Sequence, residues 1–216
     1  MSDLDELRQT VLTLIQDQSS LVCSLEEVDT CLRMALLDYS AANPLGGAAV
    51  ISLTADGRQV DVSALPRQCE IRRVYFPWDA SKPFAEQEKN RVSGWETYTL
   101  SGSAALLFET QAGSPPRPGQ QVRIHYTTYH TVAGLNGADQ TSLPAQHLDL
   151  LARGAAGYAL LCGAADRADL LDKALLERLA SSLLESFRLM LAEIAKDVNR
   201  AGSAVLQWSG RYAAVY

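Results

Sequence analysis

The spacing of apolar residues along this chain switches from three and four to two and back again, a pattern that fits neither an all-helical nor an all-β fold. Leu4, Leu7, Val11, Leu14 and Ile15 recur at helical spacing, as one buried face of an amphipathic helix requires. Ser24 followed by Glu27 reads as a capping box, in which each side chain satisfies a backbone N–H of the other residue. Val28, Leu32, Ala35, Leu36 and Tyr39 continue an apolar stripe, so a second helix is predicted from about Leu25 to about Ala41. Asn43-Pro44 and Gly46-Gly47 should end it, because proline disfavours helix in the residue before it and glycine carries a turn.

From Ala48 to Tyr129 the period falls to two, and β-branched and aromatic residues cluster in short runs, the pattern of strands. Residues 49–53 and 59–62 flank Asp56-Gly57, whose tolerance of positive φ predicts a hairpin. Four further strands are expected at 70–76, 96–100, 104–109 and 121–129, the middle pair joined across Ser101-Gly102. Two loops are candidate partner contacts. One is the mixed-charge stretch 77–91 with Trp78, Lys82, Phe84, Glu86, Glu88, Lys89 and Arg91; the other is the proline-rich stretch 113–119 with Pro115, Pro116 and Arg117.

Helical spacing returns after Ser142. Pro144 falls in the first turn of a third helix, where its missing N–H costs little, and that helix should cover about 145–162. Within it Gly154, Ala155 and Gly157 offer small surfaces for close approach of another helix. A fourth helix, about 168–198, carries Leu171, Leu175, Leu179, Leu183, Phe187, Met190 and Ile194, with Gly202 expected to end it. The remaining segment, 203–216, is too aromatic for a solvated end. Val205, Leu206, Trp208, Arg211, Tyr212, Val215 and Tyr216 make it a candidate docking tail, since aromatic side chains contribute large buried areas at interfaces.

The expected architecture is therefore α+β: a bundle of about four helices, a β-rich insertion between the second and third, and an extended C-terminal tail. Its parts are helices over 1–46, insertion over 47–130, helices over 131–202 and tail over 203–216. An apolar content of 47% in 216 residues is enough to build a core. A formal charge of −6 disfavours adhesion to nucleic acid or to an anionic membrane, which calls for clustered Lys and Arg. Neither an export signal nor a membrane span is predicted, because the start lacks a basic run and no apolar stretch approaches about 20 residues. Cys23, Cys31, Cys69 and Cys162 lack CxxC spacing and are expected to be reduced, buried thiols.

Catalytic signatures are missing from the sequence. There is no glycine-rich phosphate loop, no GxSxG and no HExxH, and hence no cofactor is expected. His125 and His130 are five residues apart, which on a strand sets them on opposite faces and argues against one shared metal ion. His147 reads as a helix-start residue, and the pairs Glu26-Glu27 and Glu86/Glu88 as a helix start and a solvated loop. The chain is expected to have no catalytic and no metal-binding residues; a hydrolase using His125 or His130 is the weakest reading.

The stretches Val122-Arg123-Ile124-His125-Tyr126-Thr127-Thr128-Tyr129-His130, Thr141-Ser142-Leu143-Pro144 and Leu150-Leu151-Ala152-Arg153-Gly154-Ala155-Ala156, in the order helix pair, β-insertion, helix pair, resemble the head–tail connector (adaptor or neck) proteins of tailed bacteriophages. The likeness covers most of the chain in architecture and about 121–161 in local sequence, while the large insertion departs from the smaller all-helical members. The resemblance implies a non-enzymatic virion protein, assembled in the host cytoplasm into a ring, usually twelvefold, below the portal at the head–tail junction. Such a ring extends the channel for double-stranded DNA, and the acidic balance suits non-adhesive passage. Portal protein and downstream neck or tail proteins would be its partners, with 203–216 docking on the portal or an adjacent subunit. The alternative is a tail-completion or receptor- or ligand-binding module that recognises its target through the β-subdomain.

Overall fold

The computed structural model describes residues 3–16, 23–100, 103–110, 116–165 and 170–211. The chain is α+β, with five helices and two small antiparallel sheets inserted between the second and fourth of them. It divides into a helical unit, Met1–Pro44 with Tyr129–Tyr216, and an insertion, Leu45–Thr128. The borders lie two residues before those expected from sequence, because Leu45 and Thr128 already pair as the first rung of a sheet.

In the helical unit, α1 (Asp3–Leu14) buries Leu4, Leu7, Val11 and Leu12. Leu14, expected on that face, is 37% exposed. Helix α2 (Leu25–Ala42) starts at the predicted capping box: Glu27 N–H donates to Ser24 Oγ at 3.3 Å and Ser24 N–H to Glu27 Oε2 at 2.7 Å. Val28, Leu32, Ala35 and Tyr39 are fully buried. After a 3-10 turn at Ala145–His147, preceded by Pro144, comes α4 (Leu148–Ala165). It packs against α2 and against α5 (Leu170–Arg211). Leu151, Ala155, Ala159, Phe187 and Leu191 complete one core with the α1 and α2 residues.

Helix α5 differs from expectation in two ways. Its buried row is Ala180, Leu184, Phe187 and Leu191, with Leu183 and Ile194 partly buried, whereas Leu175, Leu179 and Met190 are exposed; the side chain of Leu171 lies outside the described residues. A row at every fourth residue advances about 400° per step and winds off the core, while alternating steps of four and three stay on it. The helix also continues through Gly202 to Arg211, 42 residues in all. Glycine in a helix interior costs about 1 kcal/mol and stops a helix only where the backbone turns left-handed. The backbone of 203–211 is thus helical rather than extended, and Tyr212, Val215 and Tyr216 lie outside the described residues.

The insertion holds two three-stranded sheets. One has the order β1 (Leu45–Ser52), β6 (Gln121–Thr128), β3 (Cys69–Trp78); the other has β2 (Gln59–Asp61), β5 (Ser103–Phe108), β4 (Trp95–Leu100). Leu100 pairs with Ser103, as a β4–β5 hairpin requires, with residues 101 and 102 outside the described set. The hairpin predicted around Asp56-Gly57 is not formed. Gly57 does take a positive φ of 123°, but β1 pairs with β6 and β2 with β5, so the turn carries the chain from one sheet to the other. Gly46 and Gly47, expected in a turn, belong to β1 instead. A Cβ on Gly47 would stand 2.6 Å from the Tyr126 ring, so this glycine serves close packing. Val60, Val74, Leu106, Phe108, Val122 and Ile124 form the core of this unit.

Candidate functional site

Alternation along β6 sets Arg123 and His125 on one face of the first sheet. Register places Arg73 opposite His125 and Tyr75 opposite Arg123, and directly paired residues share a face. The stretch after β3, expected to be an open loop, is folded over one side of this group. Helix α3 (Phe84–Gln87) and a 3-10 turn at Glu88–Asn90 run across it. Gln87, only 1% exposed, fastens the stretch: its Nε2 donates to Asp79 O at 2.8 Å and Lys82 O at 3.0 Å, and its Oε1 accepts from Asp79 N–H at 2.7 Å. Sequence reasoning missed Gln87, because an amide among charged neighbours gives no sign that backbone groups will converge on it.

Trp78, a candidate contact residue, is buried in this assembly and faces inward. The Arg123 guanidinium lies 4.4 Å from its ring centre and 5.6 Å from that of Phe84, in cation–π contact. Phe84 stays 41% exposed. Tyr75 is fully buried against Phe84 and His125, and its hydroxyl donates to Glu88 at 3.2 Å. Lys82 pairs with Asp79 at 3.5 Å; Glu86, Lys89 and Arg91 are exposed. In the second loop Pro116 is buried, its carbonyl accepting from Gly57 N–H at 3.2 Å, Arg117 is exposed, and Pro115 lies outside the described residues.

Arg123 Nε donates to His125 Nε2 at 2.9 Å. An imidazole nitrogen that accepts carries no proton, so the neutral ring has its N–H at Nδ1. Burial holds His125 below the ordinary imidazole range, and the neighbouring Arg123 and Arg73 cations act in the same direction.

His130 belongs to the helical unit and His125 to the insertion. Its backbone N–H donates to Ser40 Oγ at 3.0 Å, Nε2 lies 2.9 Å from Asn43 O, and Nδ1 lies 3.1 Å from Ser142 Oγ. Nearby, Asn43 Nδ2 donates to the Tyr39 hydroxyl at 2.8 Å, which leaves the phenol proton for His147 Nδ1 at 2.5 Å. These contacts tie the end of α2 to the segment that leads into α4. Among the described residues no three His, Cys, Asp or Glu side chains are grouped to hold a metal ion.

The close-packing residues meet α5 directly. A Cβ on Gly154 would stand 2.8 Å from the Phe187 ring and one on Gly157 2.7 Å from Leu184; Ala155 is fully buried. The cysteines depart in part from expectation. Cys23 and Cys31 are buried, Cys69 is intermediate, and Cys162 is exposed. Burial pushes the Cys31 thiol up to about 12, with Cys162 and Cys23 adding to the effect, so it is no nucleophile. No helix among the described residues is long and apolar enough to cross a membrane.

Large apolar side chains remain on the helical surface: Leu189 is 63% exposed, Leu175 57%, Leu37 51% and Leu179 47%. Leu161, Leu184 and Leu189 line a groove of about 510 Å³ between α4 and α5. In the insertion, Leu65, Ile71, Trp95 and Tyr98 border a cleft of about 540 Å³ between the two sheets. No model of a known protein family matches this chain, and no curated protein matches it.

Proposed function

We propose that this chain is a structural, non-enzymatic subunit that assembles side by side into a ring and acts as the head–tail adaptor of a tailed phage. In the virion it would sit at the junction of portal and tail, extending the DNA channel and receiving the downstream neck or tail proteins. The observation that carries the assembly is the set of exposed leucines on α2 and α5. A solitary protein leaves single apolar residues exposed, but rows of them on a long helix call for a partner. The resemblance of residues 121–161 to adaptor proteins selects the ring, and twelvefold symmetry, from among possible assemblies.

The tail has the same role in this reading. The backbone of α5 runs on to Arg211, so Val205, Leu206, Trp208 and Arg211 fall on a helical segment, and in this reading that segment docks on the portal or a neighbouring subunit. Truncation after Gly202 should leave the helical unit folded and abolish portal attachment. Mass per particle, measured with and without portal rings, tests both points. A ring-sized particle that loses only its portal partner on truncation supports the reading; normal co-assembly of the truncated chain rules out the docking tail, and a persistent monomer rules out the ring.

The cleft between the two sheets favours a second reading, a ligand- or receptor-binding module that uses the insertion. Its lining combines Leu65, Ile71, Trp95 and Tyr98 with the polar groups of Arg67 and Glu70, and small-ligand sites combine apolar walls with a few polar groups. Glycan binding by a monomer or trimer would support this module over the ring.

A further inference from the structure

The outer face of the first sheet gathers hydrogen-bond donors around an open shelf. Gly46 and Ala48 of β1 form its floor, and Arg73, His125 and Thr127 border it. The shelf is open because β1 presents only small side chains there, with Gly46 and Ala48 exposed. Among the described residues neither Arg73 nor Arg123 has a carboxylate within ion-pairing distance. Arg123 Nε is spent on His125 Nε2, which leaves the His125 N–H on Nδ1 as a further donor. Glu88 accepts from Tyr75, and Arg72 is matched by Glu70 at 2.8 Å. Two guanidinium groups, one stacked on Trp78 and Phe84, thus share this face with the single carboxylate of Glu88, an excess of positive charge that an oxyanion complements.

The charge distribution of the chain indicates where that oxyanion comes from. The insertion carries nine Lys and Arg against eight Asp and Glu, whereas the helical unit carries ten against seventeen. The insertion is thus nearly neutral, so Arg73 and Arg123 stand out on it as a local positive patch, and the carboxylate-rich helical unit of a second copy is a complement to that patch. We propose that the Arg73–Arg123–His125 face docks on surface carboxylates of the helical unit of a second copy. The proposal rests on the ring reading and names the surface that joins neighbours.

Two measurements on the full chain test it. Arg73 is partly exposed and outside both cores, so Arg73→Glu should keep the wild-type circular dichroism while weakening self-association about tenfold, and high salt should weaken the wild type in the same direction. In the Arg73→Lys variant, carbodiimide should join the introduced amine to an Asp or Glu of residues 3–44 or 129–211 in another copy, as read by peptide mass spectrometry of mixed isotope-labelled chains. Rings that form equally well with Arg73→Glu, or crosslinks only within one chain, overturn the docking face and leave the ring standing. Binding of duplex DNA by this face, lost in Arg73→Glu with assembly unchanged, would assign it to phosphate instead and overturn the proposal. A wild type that stays monomeric at every salt concentration removes the ring and the docking face together.

Discussion

His130 ties the end of α2 to the segment that leads into α4, and it does so as a neutral ring. Its side chain reaches Asn43 O and Ser142 Oγ while its backbone N–H holds Ser40. Burial lowers its pKa below the ordinary 6.5, outweighing the two backbone carbonyls that favour the cation. An imidazole that is harder to protonate when folded makes the unfolded chain the better proton acceptor. The stabilising contribution is therefore complete above about pH 6.5 and is lost as pH falls through the folded-state value. Thermal melting followed from pH 8 to pH 5 should show a decline beginning near 6.5, and His130→Gln should flatten that part of the curve; an unchanged slope would remove His130 as its source. Residues of this kind are poorly legible in a sequence. Ser24 and Glu27 were readable because they cap within one turn, whereas His130 and Gln87 bind backbone groups that only the folded chain brings near.

At the scale of elements, the α4–α5 pair depends on two absent side chains. Gly157 sits where a Cβ would stand 2.7 Å from Leu184 Cγ and 3.3 Å from its backbone nitrogen, and Leu184 is only 4% exposed, with little room to withdraw. Gly157→Ala gains up to about 1 kcal/mol of helix propensity, but overpacking a filled core costs about 1–3 kcal/mol. A net loss of about 1–2 kcal/mol is expected in urea denaturation, and a stabilised variant would show that the helices can move apart freely. The small residues at 154, 155 and 157 pointed to this contact, since glycine inside a helix needs compensation. The buried row of α5 was less legible: leucines stand on several of its faces, and which of them is buried depends on where α4 lies. For the same reason Asp56-Gly57 marked a real turn but not its consequence, because the partners of β1 and β2 lie far along the chain in β6 and β5.

The whole molecule is a helical unit interrupted by a second unit with its own core. Chain entry and exit are adjacent, since Leu45 pairs with Thr128 at the first rung of the sheet and paired Cα atoms stand about 5 Å apart. The helical unit holds both ends of the excision site itself, through His130 to Asn43 and Ser40. Replacing 45–128 with a short Gly-Ser linker should therefore leave a cooperatively folded helical protein; loss of helical circular dichroism would mean that the insertion is needed for that fold. The α+β class, the helix starts, the nested insertion and most strand positions could be read from periodicity, capping and turn residues, which act over a few neighbours. Strand partners, the face of α5 that is buried, the inward turn of Trp78 and the donor-lined shelf came from contacts between distant segments. Local sequence spacing carries the energetics of a turn or a cap, but burial and pairing are settled by whichever remote surface arrives to exclude water.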